Sequence, residues 1–216
     1  MIVSFTFDDG WKSQFENARP ILNRYGFRAT FYVITINLYE GEDWYMGLTE
    51  LQQLAKEGHE IGAHSVTHLD LTCGGSEQIL QSKLDLERFG FEVKSFAYPY
   101  TAYNEELCKT AELSGFKNAR AGGGKPFSRL NFNRYALGAY FVQKNTTIET
   151  FKQWFEESQE EILVLGLHQV ERNCDQWGCK PEMLEQICEY LVTSGRGIEV
   201  MPISESLDLY MKHYEK

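Results

Sequence analysis

The chain has 216 residues, of which 43% are apolar and 24% charged, a globular composition rather than a disordered or fibrous one. Its formal net charge of −10 argues against a polyanionic partner, because nucleic-acid binding needs a basic face and an anionic membrane a polybasic run. No stretch approaches the roughly 18 consecutive apolar residues of a spanning helix, so nucleic-acid binding and membrane spanning leave the front rank together with small disulfide scaffolds.

In chain order, short β-rich runs alternate with amphipathic stretches. Residues 2–7 read as an apolar strand running into Asp8-Asp9-Gly10. Residues 13–25 carry Phe15, Ala18, Ile21, Leu22 and Tyr25 at helical spacing, and Gly26 stops them. Strands are expected at 29–34, 59–63, 93–97 and 116–120, separated by helices at 49–56, 76–89 and 104–114. Residues 121–134, with Gly122-Gly123-Gly124 and Pro126, read as a loop. A strand over 135–142, a helix over 147–158, a buried strand over 162–167, a loop over 169–180, a helix over 182–194, a strand over 198–201 and a helix over 204–213 complete the pattern. Strands alternating with helices imply a mainly parallel, helix-covered sheet. Seven or eight such units in 216 residues fall short of a full eight-fold barrel, so a barrel with fewer units fits best and an open doubly wound sheet is the alternative. No linker or repeat divides residues 1–216, which read as one catalytic domain.

The N-terminus lacks the basic region, apolar core and cleavage site of an export signal. The expectation is a cytoplasmic protein if the chain is complete, and an extracytoplasmic one if a leader was trimmed. Five cysteines at scattered spacing fit reduced thiols; Cys174 and Cys179 read as two loop thiols, with a local disulfide the sharper alternative.

In parallel α/β folds, sites form where strands end. Asp8-Asp9 follows the first strand, and His64-Ser65-Val66-Thr67-His68 follows 59–63. Tyr98-Pro99-Tyr100 follows 93–97, Arg120 ends 116–120, and His168 ends 162–167. All five would share one rim. The His-x-x-x-His spacing suits one metal ion, and one aspartate completes three protein ligands, the number a catalytic zinc site uses while keeping a position open.

Thr6-Phe7-Asp8-Asp9-Gly10 and His64-Ser65-x-Thr67-His68 resemble the first two motifs of the polysaccharide deacetylases, carbohydrate esterases of the NodB-homology fold. Phe96-Ala97-Tyr98-Pro99-Tyr100 resembles a variant of the third motif, and Val164-Leu165-Gly166-Leu167-His168 the last. The resemblance implies a distorted (β/α)7 barrel and metal-dependent removal of an N- or O-acetyl group from a sugar or oligosaccharide. It makes Asp9, His64 and His68 metal ligands, Asp8 the general base and His168 the general acid. It implies that the backbone N–H of Tyr100 is an oxyanion donor in a turn fixed by Pro99. Zinc is the expected ion, though one carboxylate and two imidazoles also suit Co²⁺, Ni²⁺ or Fe²⁺.

Two departures stand out. The family's third motif usually opens with an arginine that pairs with the base; Ala97 stands there, and Arg120 is the expected replacement. The fourth motif, whose aspartate orients the acid histidine, is not evident; Asp175 lies far along its loop, and the partner of His168 stays open. Among the aromatics, Trp11 and Trp177 are the first candidates for a sugar-stacking surface. The competing readings are hydrolysis of another non-peptide C–N bond, of the deformylase or cyclic-ureide type, and a carbohydrate-binding relative impaired in turnover.

Overall fold

The computed structural model describes residues 1–123, 132–158 and 162–214. Gly124, Lys125 and Pro126 of the glycine-rich loop lie outside them. Among the described residues, eight parallel strands form one sheet: β1 (Ile2–Phe7), β2 (Thr30–Val33), β3 (Glu60–Ala63), β4 (Ser95–Ala97), β5 (Asn118–Arg120), β6 (Tyr140–Phe141), β7 (Ile162–Leu167) and β8 (Glu199–Val200). Their order is β5-β4-β3-β2-β1-β7-β6, with β8 paired to β1 beside this path. The sheet is curled, and Leu137 bridges Arg120 at one edge just before Tyr140–Phe141 pair with β7 at the other. The distorted barrel is thus the observed architecture, and the open doubly wound alternative falls.

Outside the sheet lie α1 (Arg19–Arg24), α2 (Ile36–Glu40), α3 (Leu48–Lys56), α4 (Glu77–Arg88), α5 (Glu105–Leu113), α6 (Ile148–Glu157), α7 (Pro181–Thr193) and α8 (Ile203–Tyr214). The sequence pattern gives no helix at α2, and two further stretches differ from it. The helix expected over 13–25 opens as a π turn, Gln14–Ala18, before α1. The strand expected over 135–142 shrinks to two residues, because 134–137 bond to β5 while 140–142 bond to β7, and one segment cannot run straight along both.

Strand alternation builds two cores. From β1, Val3, Phe5 and Phe7 face the helices; Ser4 and Thr6, on the other face, are small and hydrogen-bonded. The inner core holds Tyr32, Ala97, Leu137 and Val164, and Ile203, Leu207 and Tyr210 of α8 pack into it. Space inside is tight. A Cβ on Gly166 would lie 2.5 Å from the Phe141 ring, so only glycine lets that ring settle inside the barrel.

Candidate active site

The strand ends converge on a cavity of about 510 Å³, whose walls include Asp8, Asp9, His64, His68 and His168. Asp8 follows β1, and its backbone N–H bonds the carbonyl of Leu167 at the end of β7 (2.8 Å). Gln14, fully buried, donates from its side-chain amide to the carbonyls of Asp8 (2.5 Å) and His168 (3.1 Å). That one side chain ties the two strand ends together. The π turn presents it, a contact the apolar periodicity of 13–25 could not reveal.

Asp9, His64 and His68 form one cluster, with one ligand atom from each lying within 4.8 Å of the others. Asp9 Oδ1 is 3.5 Å from Nε2 of both histidines. That is too long for a hydrogen bond, and Oδ1 is buried without a hydrogen-bond partner. It matches the edge of a zinc tetrahedron, about 3.4 Å for ligands near 2.1 Å from the ion. The donor set and spacing therefore fit a divalent cation. His64 Nδ1 lies 2.7 Å from the carbonyl of Ala97, which fixes the tautomer and leaves Nε2 for the cluster. Burial pushes the Asp9 carboxyl up, but the imidazoles of His64, His168 and His68 outweigh it and hold it well below the usual carboxylate range. Burial also opposes charge on His64, yet Asp9 and Asp8 raise its pKa; burial and the neighbouring His64 lower that of His68.

Asp8 sits beside this cluster, 3% exposed, with its two oxygens each 2.6 Å from Arg120 Nη2. Arg120 is fully buried, donates from Nη1 to the carbonyl of Ala121 (2.9 Å), and lies between the Tyr32 and Phe141 rings (5.4 and 5.2 Å to the centroids). The side chain that ends β5 thus reaches Asp8, where Ala97 cannot. Across from it, His168 Nε2 is 3.8 Å from Asp8 Oδ2 and the ring lies against Phe141. His168 Nδ1 is buried without a hydrogen-bond partner. Asp175 lines the cavity, but its Oδ1 accepts from the backbone N–H groups of Trp177 (2.8 Å) and Gly178 (3.1 Å) and shapes the loop.

The remaining candidates divide. Tyr100 adopts φ 56°, is 65% exposed and sets its ring against His68 (4.5 Å) at the cavity edge. Pro99 is buried behind it and starts the turn without lining the cavity. Trp177 is half exposed on the wall. Trp11 also lines the cavity, stacks on Tyr45 (4.7 Å), and donates its indole N–H to Asp9 Oδ2 (2.9 Å). Sequence reasoning missed that bond and another: Gln78 of α4 accepts from the backbone N–H of Val66 (3.2 Å) and Thr67 (2.9 Å), clamping the loop between the two histidines. Gln78 follows Ser76 and Glu77 in a run of polar residues, so nothing in the sequence set it apart. All five cysteines are free thiols, Cys174 and Cys179 among the buried ones.

An irregular parallel barrel with this cluster at the C-terminal ends of its strands is the architecture of carbohydrate deacetylases. The chain belongs to the polysaccharide deacetylase family, whose model matches residues 1–119. It is 31% identical over 121 residues to a peptidoglycan-N-acetylglucosamine deacetylase of Bacillus cereus, covering 54% of this chain and 54% of that protein. It is 29% identical over 118 residues to a bifunctional xylanase/deacetylase of Pseudobutyrivibrio xylanivorans, covering 52% of this chain and 19% of that one. The chain spans about half or less of the length of the curated relatives it matches. Among solved structures, the Xyl-CE4 domain of a multidomain xylanase from the hindgut metagenome of Trinervitermes trinervoides superposes with a TM-score of 0.64 at 22% identity, over 97% of this chain and 90% of that one.

Proposed function

We propose that the protein is a divalent-metal-dependent deacetylase that removes the acetyl group from an N-acetylated sugar or oligosaccharide. The observation that carries this reading is the cluster itself: Asp9 Oδ1 lies 3.5 Å from both imidazole Nε2 atoms, with a second carboxylate and a third histidine on the adjoining wall. A cation held by Asp9, His64 and His68, zinc by its donor set, supplies Lewis acidity towards the acetyl carbonyl and towards water. Asp8 takes the proton of the attacking water, and its Arg120 partner holds the carboxylate in place. The new C–O bond replaces the C–N bond, and His168 delivers a proton to the departing nitrogen, so that water and amide become acetate and amine. The backbone N–H of Tyr100, in the turn at the cavity edge, would serve as a donor to the developing oxyanion. Trp177 on the cavity wall offers a stacking face for a pyranose ring.

The test is acetate release from N-acetylglucosamine oligomers and acetylated xylan, with Zn²⁺ or Co²⁺ added. Acetate that appears with metal and stops on chelation is the expected result. Bound metal without acetate from any acetylated sugar would overturn this reading in favour of another C–N bond or of a binding protein.

A further inference from the structure

We propose that the indole N–H of Trp11 is a positioning group for Asp9: it occupies one carboxylate oxygen and so makes Asp9 a ligand through the other oxygen alone. The inference rests on the metal reading above. Its basis is the different fate of the two oxygens. Oδ2 accepts from Trp11 Nε1 at 2.9 Å, while Oδ1 is buried, has no hydrogen bond and points to both histidines.

The local backbone explains how a side chain two residues on returns to Asp9. Asp9 and Gly10 are both left-handed, at φ 72° and 78°, which folds the chain back on itself. A non-glycine residue at positive φ costs about 1–3 kcal/mol and persists only where its surroundings impose it. Those surroundings are residues 44–46. Trp11 bridges Tyr45 in antiparallel fashion, Lys12 N–H bonds the Trp44 carbonyl (2.8 Å), and Met46 N–H bonds the Gly10 carbonyl (2.8 Å). The Trp11 ring stacks on Tyr45 with a 29° interplanar angle. The donor is therefore held from outside the cluster it serves.

The consequence concerns coordination number. A carboxylate can ligate through one oxygen or two. A second oxygen at the ion would fill the position a catalytic site keeps open. Hydrogen bonds to the distal oxygen of a ligating carboxylate fix its orientation, and losing such a partner typically weakens metal affinity by about 10–100-fold.

Co²⁺ titration of the full chain, read by visible absorption and by competition with a chelator, tests this. Trp11→Phe keeps the stacked ring and loses the N–H; Tyr45→Leu keeps the N–H and loses the stack. Trp11→Phe should weaken Co²⁺ binding about 10–100-fold and dim the visible band as Asp9 becomes bidentate, whereas Tyr45→Leu should stay within about threefold of wild type. Wild-type-like affinity and band in Trp11→Phe overturn the inference while leaving the metal reading intact. An equal loss in Tyr45→Leu also overturns it, assigning the effect to packing. A wild-type protein that takes up no Co²⁺ overturns both. The wild-type protein gives an independent check that survives a poorly folding variant: in the Co²⁺-minus-apo infrared difference spectrum, the wide carboxylate splitting of a one-oxygen ligand supports the inference, and the narrow splitting of a two-oxygen ligand contradicts it.

Discussion

The two ends of the barrel treat a half-buried carboxylate in opposite ways. At the C-terminal ends of the strands, Asp9 keeps one oxygen without a hydrogen bond, and every described non-glycine residue at positive φ belongs to this rim: Asp9, Ser65, His68, Tyr100 and Thr101. At the N-terminal ends, Glu60 opens β3 and both of its oxygens are fully used. Oε1 accepts from the hydroxyls of Ser95 (2.6 Å) and Ser204 (2.7 Å), and Oε2 from the Ser204 N–H (3.1 Å) and the Thr30 hydroxyl (3.3 Å). Thr30 opens β2 and Ser95 opens β4, so the cluster stitches three strands to the start of α8. Backbone strain collects where a ligand is to be held, and the Glu60 carboxylate is fully satisfied where the fold is to be closed. One end is built for chemistry and the other for stability.

The largest effect should come from breaking the chemical end through its buried cation. Arg120→Met leaves Asp8 buried without its partner. We expect a loss of about 3–5 kcal/mol in denaturant unfolding, because an uncompensated buried charge remains. Acetate release should fall at least about 10²-fold, because Asp8, the proposed base, is no longer held in line. Retention of both would contradict the role given to the pair.

Breaking the other end should separate the two properties. Glu60→Ala orphans the Ser95 and Ser204 hydroxyls and the Ser204 N–H, for an expected cost of about 3 kcal/mol in unfolding free energy. Metal affinity and KM should stay near wild type in the folded fraction. A fall in metal affinity would erase the distinction between the ends.

The smallest effect concerns pH. His59, next to Glu60, accepts the Ala29 N–H at Nδ1 (3.1 Å), so the buried ring is neutral. Burial lowers its pKa from 6.5 to about 4; Glu57 opposes the shift, and Arg19 and Arg28 add to it. The unfolded chain binds this proton first as pH falls, so the contribution is complete above pH 6.5 and is lost on the way down to about 4. At pH 5 the loss is about 2 kcal/mol. His59→Gln keeps an acceptor and removes the titration. The stability difference between wild type and His59→Gln should therefore shift by that amount between pH 7 and pH 5, free of the opposite shift that burial causes at Glu60. A constant difference would show that His59 titrates normally.

The sequence exposed much of the chemical end and little of the other. Asp8, Asp9, His64, Arg120 and His168 were legible because they stand at or just past strand ends, which parallel topology brings to one rim, and His68 because it repeats His64 at a spacing that suits one ion. The partnership of Arg120 with Asp8 follows from the same rule. The Glu60 cluster was not legible: its serine on α8 is 144 residues away and meets Glu60 only once the barrel has curled. Trp11 and Gln14 were hidden for a different reason. Their contacts depend on a left-handed pair at 9–10 and on a π turn, and neither leaves a periodic trace. The strand expected over 135–142 failed because two neighbouring strands compete for the segment.

Two adjacent aspartates with identical side chains have separate partners, Arg120 for Asp8 and the two histidines for Asp9, and so separate jobs in the proposed reaction. Co²⁺ binding and acetate release measured side by side on Asp8→Asn and Asp9→Asn test this division most directly. Asp8→Asn, whose amide oxygen still accepts from Arg120, should bind Co²⁺ as wild type does and lose turnover by about 10²–10⁴-fold. Asp9→Asn should lose Co²⁺ affinity itself. Loss of metal from Asp8→Asn, or full turnover in either variant, would contradict the account.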